Sequence, residues 1–150
     1  MIDRPARSRL AEAIRHLVSG QVTNDEFEFR ARSSSTDLAV REVFGKGAWT
    51  LYSDTSSYRL SGPNQLSRAA RRVVARWILF LASEHEYEWP CLNVASSLML
   101  VVGNFATLGG AGWLYRRSLI RKGDFEVWPF FRRNDYEASL RAPAFRKGAG

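Results

Sequence analysis

Residues 89–115 contain no charged side chain, in a chain of which charged residues make up 25%. Most of this stretch reads CLNVASSLMLVVGNFATLGGAGWLY, residues 91–115. A membrane-spanning helix needs about 20 largely apolar residues, so the stretch is long enough to cross a bilayer. Its composition points instead to burial inside protein. The one dense apolar run is residues 98–102. Asn93 and Asn104 are expensive in lipid, and Ser96, Ser97 and Thr107 dilute the segment further. Gly103, Gly109, Gly110 and Gly112 weaken any helix through it. The expectation is a helix over residues 94–102, a bend at Gly103 and Asn104, and a second piece over residues 108–115. The flanks, acids before and RRSLIRK after, suit positive-inside insertion. Single-pass membrane association through 91–115 therefore stands as an alternative, with membrane contact the less favoured outcome. TLGGAG lacks the G-x-x-x-x-G-K-[ST] pattern and follows no clear strand, which excludes a phosphate loop.

A length of 150 residues with 45% hydrophobic content favours one globular domain with a real core. The single cysteine, Cys91, rules out an internal disulfide. With no apolar leader in MIDRPARSRLAEAI, it implies a reducing, cytoplasmic location. The net charge is +7 and the sequence pI about 10.2. Much of the excess lies in residues 116–150, where nine basic residues face four acids. Such a segment can meet nucleic acid, anionic lipid or an acidic partner.

The N-terminus carries the clearest local signals. Leu10, Ile14, Leu17 and Val18 recur on one helical face, and Gly20 supplies the residue that ends such a helix. Thr23 and Glu26 then form a T-x-x-E capping box, with Val22 and Phe27 placed for a hydrophobic staple. Asn24, Asp25 and Glu26 put acceptors and negative charge where the helix dipole favours them. The pattern is a tight helical hairpin. Residues 10–30, with the apolar first helix, Gly20, Gln21, Val22, Thr23 and the acidic NDEFE opening, resemble the SHOCT-type short hairpin of bacterial proteins. That resemblance implies an interaction or oligomerisation element rather than an enzyme. A generic hairpin packed on its own domain explains the same residues.

A third helix is expected after SSST, capped by Ser34, Ser35 or Thr36. Val40, Phe44, Ala48, Leu51 and Tyr52 share one face if it runs through Gly45 and Gly47; a break there is the alternative. The loop TSSYRLSGPN follows, and Pro63 suits a first helical turn. In PNQLSRAARRVVARWILFLASE, Ala70, Val73, Val74, Trp77, Ile78 and Leu81 form the expected buried stripe of a central helix. Arg68, Arg72 and Arg76 recur on the opposite face with Arg71 beside them, a candidate partner-binding basic face. WILFLA is apolar all round, so this helix ends inside the protein. Glu84, His85, Glu86 and Glu88 then cluster. Carboxylates with a histidine can hold a divalent metal. No H-E-x-x-H spacing supports that, and the other histidine, His16, lies in the first helix. The cluster is expected to be a solvated acidic turn with some pairing to the arginine face, and no metal site is assigned.

The C-terminal segment interleaves Phe125, Trp128, Phe130, Phe131 and Tyr136 with basic residues. The aromatics are expected to fold back onto the core. DFEVW alternates and allows one short strand, and Asn134 or Asp135 is placed to cap a short last helix. Arg116, Arg117, Arg121, Lys122, Arg132 and Arg133 are candidates for polyanion binding, since single-stranded nucleic-acid surfaces combine stacking rings with phosphate neutralisation. The expected fold is mainly α: a compact helical domain with an N-terminal hairpin (1–32), a helical core (36–117) and an irregular basic, aromatic-rich segment (118–150). No nucleophile–base or metal constellation is readable, so no catalytic residue and no cofactor are assigned. The function expected is protein–protein interaction or regulation, with an unidentified protein partner or self-association. Nucleic-acid binding through the basic C-terminal segment is the alternative.

Overall fold

The computed structural model describes residues 1–90 and 123–142. Its first helix, α1 (Arg4–Val18), opens at Asp3, whose carboxylate accepts from the Ala6 N–H at 3.0 Å. Pro5 occupies the first turn, where a missing N–H costs nothing. Ala6, Leu10, Ile14 and Leu17 are buried, and Val18 is half-buried. Gly20 ends the turn with φ 70, and a Cβ there would stand 3.1 Å from that of Ser61. The second helix, α2 (Asn24–Ala31), carries the expected capping box. The Glu26 N–H donates to Thr23 Oγ1 at 3.2 Å, and the Thr23 N–H donates to Glu26 Oε2 at 3.0 Å. Val22 and Phe27 are both buried.

The third helix, α3 (Leu38–Glu42), is capped by Asp37, not by Ser34, Ser35 or Thr36. The Asp37 carboxylate accepts from the Ala39 N–H at 2.9 Å. The helical path does continue through the glycines, but its winding changes. A π-helical turn spans Val43–Gly47 and a 3₁₀ turn Ala48–Leu51. Gly47 sits where a Cβ would approach Trp77 and Trp128 to 3.3 Å, so the residue that weakens the helix also admits two indole rings. Phe27, Phe44, Trp49 and Tyr52 form a closed ring of neighbours, with centroids 5.9–6.1 Å apart at each step.

The loop from Ser53 to Tyr58 is tied down by the buried Asn24. Its amide donates to the Ser53 and Ser56 carbonyls at 3.1 and 3.0 Å, and its oxygen accepts from the Tyr58 N–H at 2.8 Å. Pro63 belongs to a separate 3₁₀ turn, Gly62–Asn64. The central helix, α4 (Arg68–Ala82), starts later, at a Ser67 cap that accepts from the Ala70 N–H at 3.2 Å. Val74, Trp77 and Leu81 are buried as expected, but Val73 is 36% exposed and Ala70 and Ile78 are only half-buried. Leu79 and Phe80 are buried too. The end of α4 is thus covered on most sides, though Ile78 and Ala82 stay half-buried, so WILFLA is not enclosed all round.

After residue 122 the chain folds back onto that buried end. DFEVW forms no strand: residues Phe125–Val127 make a 3₁₀ turn in which the Asp124 carboxylate accepts from the Glu126 N–H at 3.0 Å. A side chain thereby satisfies a local N–H that a strand would present to a neighbour. Phe130 is fully buried, edge-on to Phe80 at 5.0 Å, and its carbonyl accepts from Trp89 Nε1 at 3.1 Å. Trp128 meets Trp77 edge-on at 5.8 Å and donates to the Tyr87 hydroxyl at 3.1 Å. The last described helix, α5 (Arg133–Arg141), begins before Asn134 and Asp135 and has no side-chain cap. The fold is mainly helical, with no β-strand among the described residues. The expected helical pieces of 91–115, and the tail from 143, lie outside them.

Candidate interaction surface

Packing of α1 on α4 leaves a groove of about 370 Å³ between the end of the first helix and the start of the fourth. Val18, Val74, Ala75 and Ile78 give it an apolar lining, and Arg15 and Arg71 stand in its walls. No carboxylate lines it. Arg68 and Arg72, one turn apart on α4, are exposed beside Arg71. None of Arg15, Arg68, Arg71 and Arg72 makes an ion pair among the described residues.

The fourth arginine of the sequence-derived face behaves differently. Arg76 is half-buried, donates to the Glu126 carbonyl, and holds its guanidinium 5.9 Å from the Tyr136 ring centroid. Burial keeps its pKa below the usual guanidinium value. It tethers the C-terminal segment to α4, whereas Arg68, Arg71 and Arg72 face outward.

The polyanion candidates divide in a similar way. Arg132 pairs with Glu88 at 3.5 Å. Arg133 reaches Glu126 at 2.5 Å and Asp124 at 2.8 Å, and these two hydrogen bonds raise its pKa. Arg116, Arg117, Arg121 and Lys122 lie outside the described residues.

The acidic run pairs with partners other than the α4 arginines. Glu84 meets Arg4, Glu86 meets the N-terminal ammonium at 3.2 Å, and Glu88 meets Arg132. The run therefore links the N-terminus and the 123–142 segment to the turn after α4. Among the described residues no three His, Cys, Asp or Glu side chains are grouped to hold a metal. His16 lies in another groove, of about 300 Å³, with Arg9, Glu12 and Arg30. A third groove brings Ser83, His85 and Ser139 together. There the Ser83 hydroxyl donates to the Phe80 carbonyl at 2.7 Å and accepts from the His85 N–H at 3.3 Å, so backbone groups engage it.

One pair escaped the sequence reasoning. Arg7 and Asp37 are 1% and 3% exposed and form a two-point ion pair, with Nε to Oδ2 at 2.6 Å and Nη2 to Oδ1 at 3.1 Å. Arg7 Nη1 also donates to the carbonyls of Ser83 and His85 at 3.3 and 2.8 Å. A signal was present: Arg7 falls on the stripe of Leu10, Ile14 and Leu17, where a charge needs a buried partner.

No family model, curated protein or solved structure matches this chain.

Proposed function

We propose that the protein is a non-enzymatic interaction module that binds a protein segment at the α1–α4 groove, beside Arg68, Arg71 and Arg72. One observation carries this. Arg15 and Arg71 stand in the walls of an apolar groove that no carboxylate lines, with Arg68 and Arg72 exposed beside them. Like Arg9, Arg30, Arg32, Arg41 and Arg59, these four have no carboxylate partner among the described residues, while Arg4, Arg7, Arg132, Arg133 and Arg141 are paired. Unpaired arginines around an apolar groove favour a segment that brings apolar side chains and carboxylates together. Arginine suits such a contact because its planar fork meets a carboxylate at two points. No helix among the described residues is long and apolar enough to cross a membrane. The single cysteine fits a reducing, cytoplasmic setting. The SHOCT-like hairpin contributes α1 to the groove, in line with an interaction role.

A photo-crosslinking amino acid in place of Ala75 tests the surface in living cells. Ala75 is exposed, so the fold tolerates the change. Crosslinks to protein that disappear with Arg71→Glu are expected. Crosslinks to nucleic acid alone, or crosslinks indifferent to Arg71→Glu, would overturn the proposal.

A further inference from the structure

The same molecule carries a complement to its own groove. Phe29, on the outer side of α2, is 81% exposed, more than any other aromatic side chain among the described residues. The other exposed rings are partly covered: Phe125 lies 4.4 Å from Trp89, and Trp49 lies 5.9 Å from Phe44. Phe29 makes no ring contact among the described residues. Asp25 and Glu26, four and three positions earlier, share its helical face and are exposed. Arg30 and Arg32 follow it, so the negative side of this knob is the N-terminal side.

We infer that the groove takes Phe29 of a second copy of this chain, with Asp25 and Glu26 of that copy meeting Arg15 and Arg71. This rests on the groove's being an interaction surface and names its occupant. The apolar lining of Val18, Val74, Ala75 and Ile78 suits a phenyl ring, and a groove of about 370 Å³ has room for one. The only charged groups that line it, Arg15 and Arg71, are basic where the knob is acidic, so charge favours one orientation. An exposed aromatic costs solubility when it covers nothing, and burying it in an apolar groove removes that cost. Knob and groove are different patches, so two copies either exchange knobs in a reciprocal two-fold dimer or link head-to-tail into rings or longer assemblies.

Sedimentation velocity over a concentration series, on the full chain, tests this. Wild type is expected to self-associate, less so as salt rises. Phe29→Ala, which removes the knob, and Ala75→Glu, which blocks the groove, each weaken association by at least about tenfold, the scale of a buried aromatic anchor. Both sites are exposed, and circular dichroism melts of the two variants should match wild type. The decisive sample is the mixture. Phe29→Ala retains a groove and Ala75→Glu retains a knob, so together they form a one-to-one complex that neither forms alone. Wild type monomeric throughout, association unaffected by Phe29→Ala, or a mixture without a complex would each overturn the inference. Crosslinking at position 75 to a different protein, with a monomeric wild type, would keep the interaction surface and reject the second copy as its occupant.

Discussion

Arg7 is almost wholly shielded from water, yet each of its three guanidinium nitrogens donates to an acceptor. Asp37 gathers two further donors, the N–H groups of Asp3 at 3.0 Å and Ala39 at 2.9 Å. The pair thus joins the start of α1, the cap of α3 and the turn after α4. Isolating one member leaves a buried charge unpaired, which costs about 3–5 kcal/mol. Arg7→Met is expected to lower stability by that amount, read as a shift in urea midpoint with an unchanged slope. Acid should act through Asp37. Burial pushes its pKa up, but hydrogen bonds from Arg7 and the two backbone N–H groups, with the Arg7 charge, outweigh this and hold it below 3.8. A carboxyl whose folded pKa is depressed contributes stability that is complete above the unfolded value and fades as pH falls through the folded one. Wild type should therefore lose stability as pH drops below about 4, the ordinary Asp range. Asp37→Asn should show a shallower loss over that window in the same melts.

At the level of elements, legibility followed locality. The hairpin was readable because its cap, its staple residues and Gly20 are close neighbours in the chain. Thr23→Ala should cost about 0.5–2 kcal/mol through the lost bond to the Glu26 N–H, seen as a lower denaturation midpoint. The winding change over Val43–Gly47 was not readable, because what sits against Gly47 comes from far along the chain, on Trp77 and Trp128. Position 37 as the cap of α3 depends in the same way on Arg7. Periodicity placed α4 correctly in type but misassigned Val73, since one stripe cannot describe a helix that passes from solvent into a largely covered end. Trp77, 5% exposed and edge-on to Trp128, should lose about 3–5 kcal/mol on truncation to Ala. Exposed Arg72→Ala should stay within about half a kcal/mol. Equal losses in paired melts would mean that Arg72 contributes to packing.

For the whole molecule, the row of Arg68, Arg71 and Arg72 was visible as helical spacing, but the groove beside it was not. That groove exists only where α1 meets α4, and no spacing within either helix encodes the meeting. Arg76 shows the converse: its spacing matches the row, and only the folded C-terminal segment reveals that it points to Glu126 and Tyr136. The same distinction bears on nucleic acid. A net charge of +7 attracts any polyanion at low salt, through counterion release. Dedicated binding needs cations free to meet phosphates and rings free to stack. Arg132 and Arg133 are engaged by Glu88, Asp124 and Glu126, and Phe130 is fully buried. A phosphate approaching them would have to displace carboxylates and would meet their repulsion. Fluorescence anisotropy with single- and double-stranded oligonucleotides, from about 50 to 200 mM salt, spans the range over which phosphate-driven affinity collapses. Weak, sequence-independent binding that disappears toward the upper end is expected, and Arg132→Ala with Arg133→Ala should change it little. Submicromolar binding that survives the higher salt and is abolished by that double substitution would make the basic C-terminal segment, rather than the α1–α4 groove, the principal binding surface.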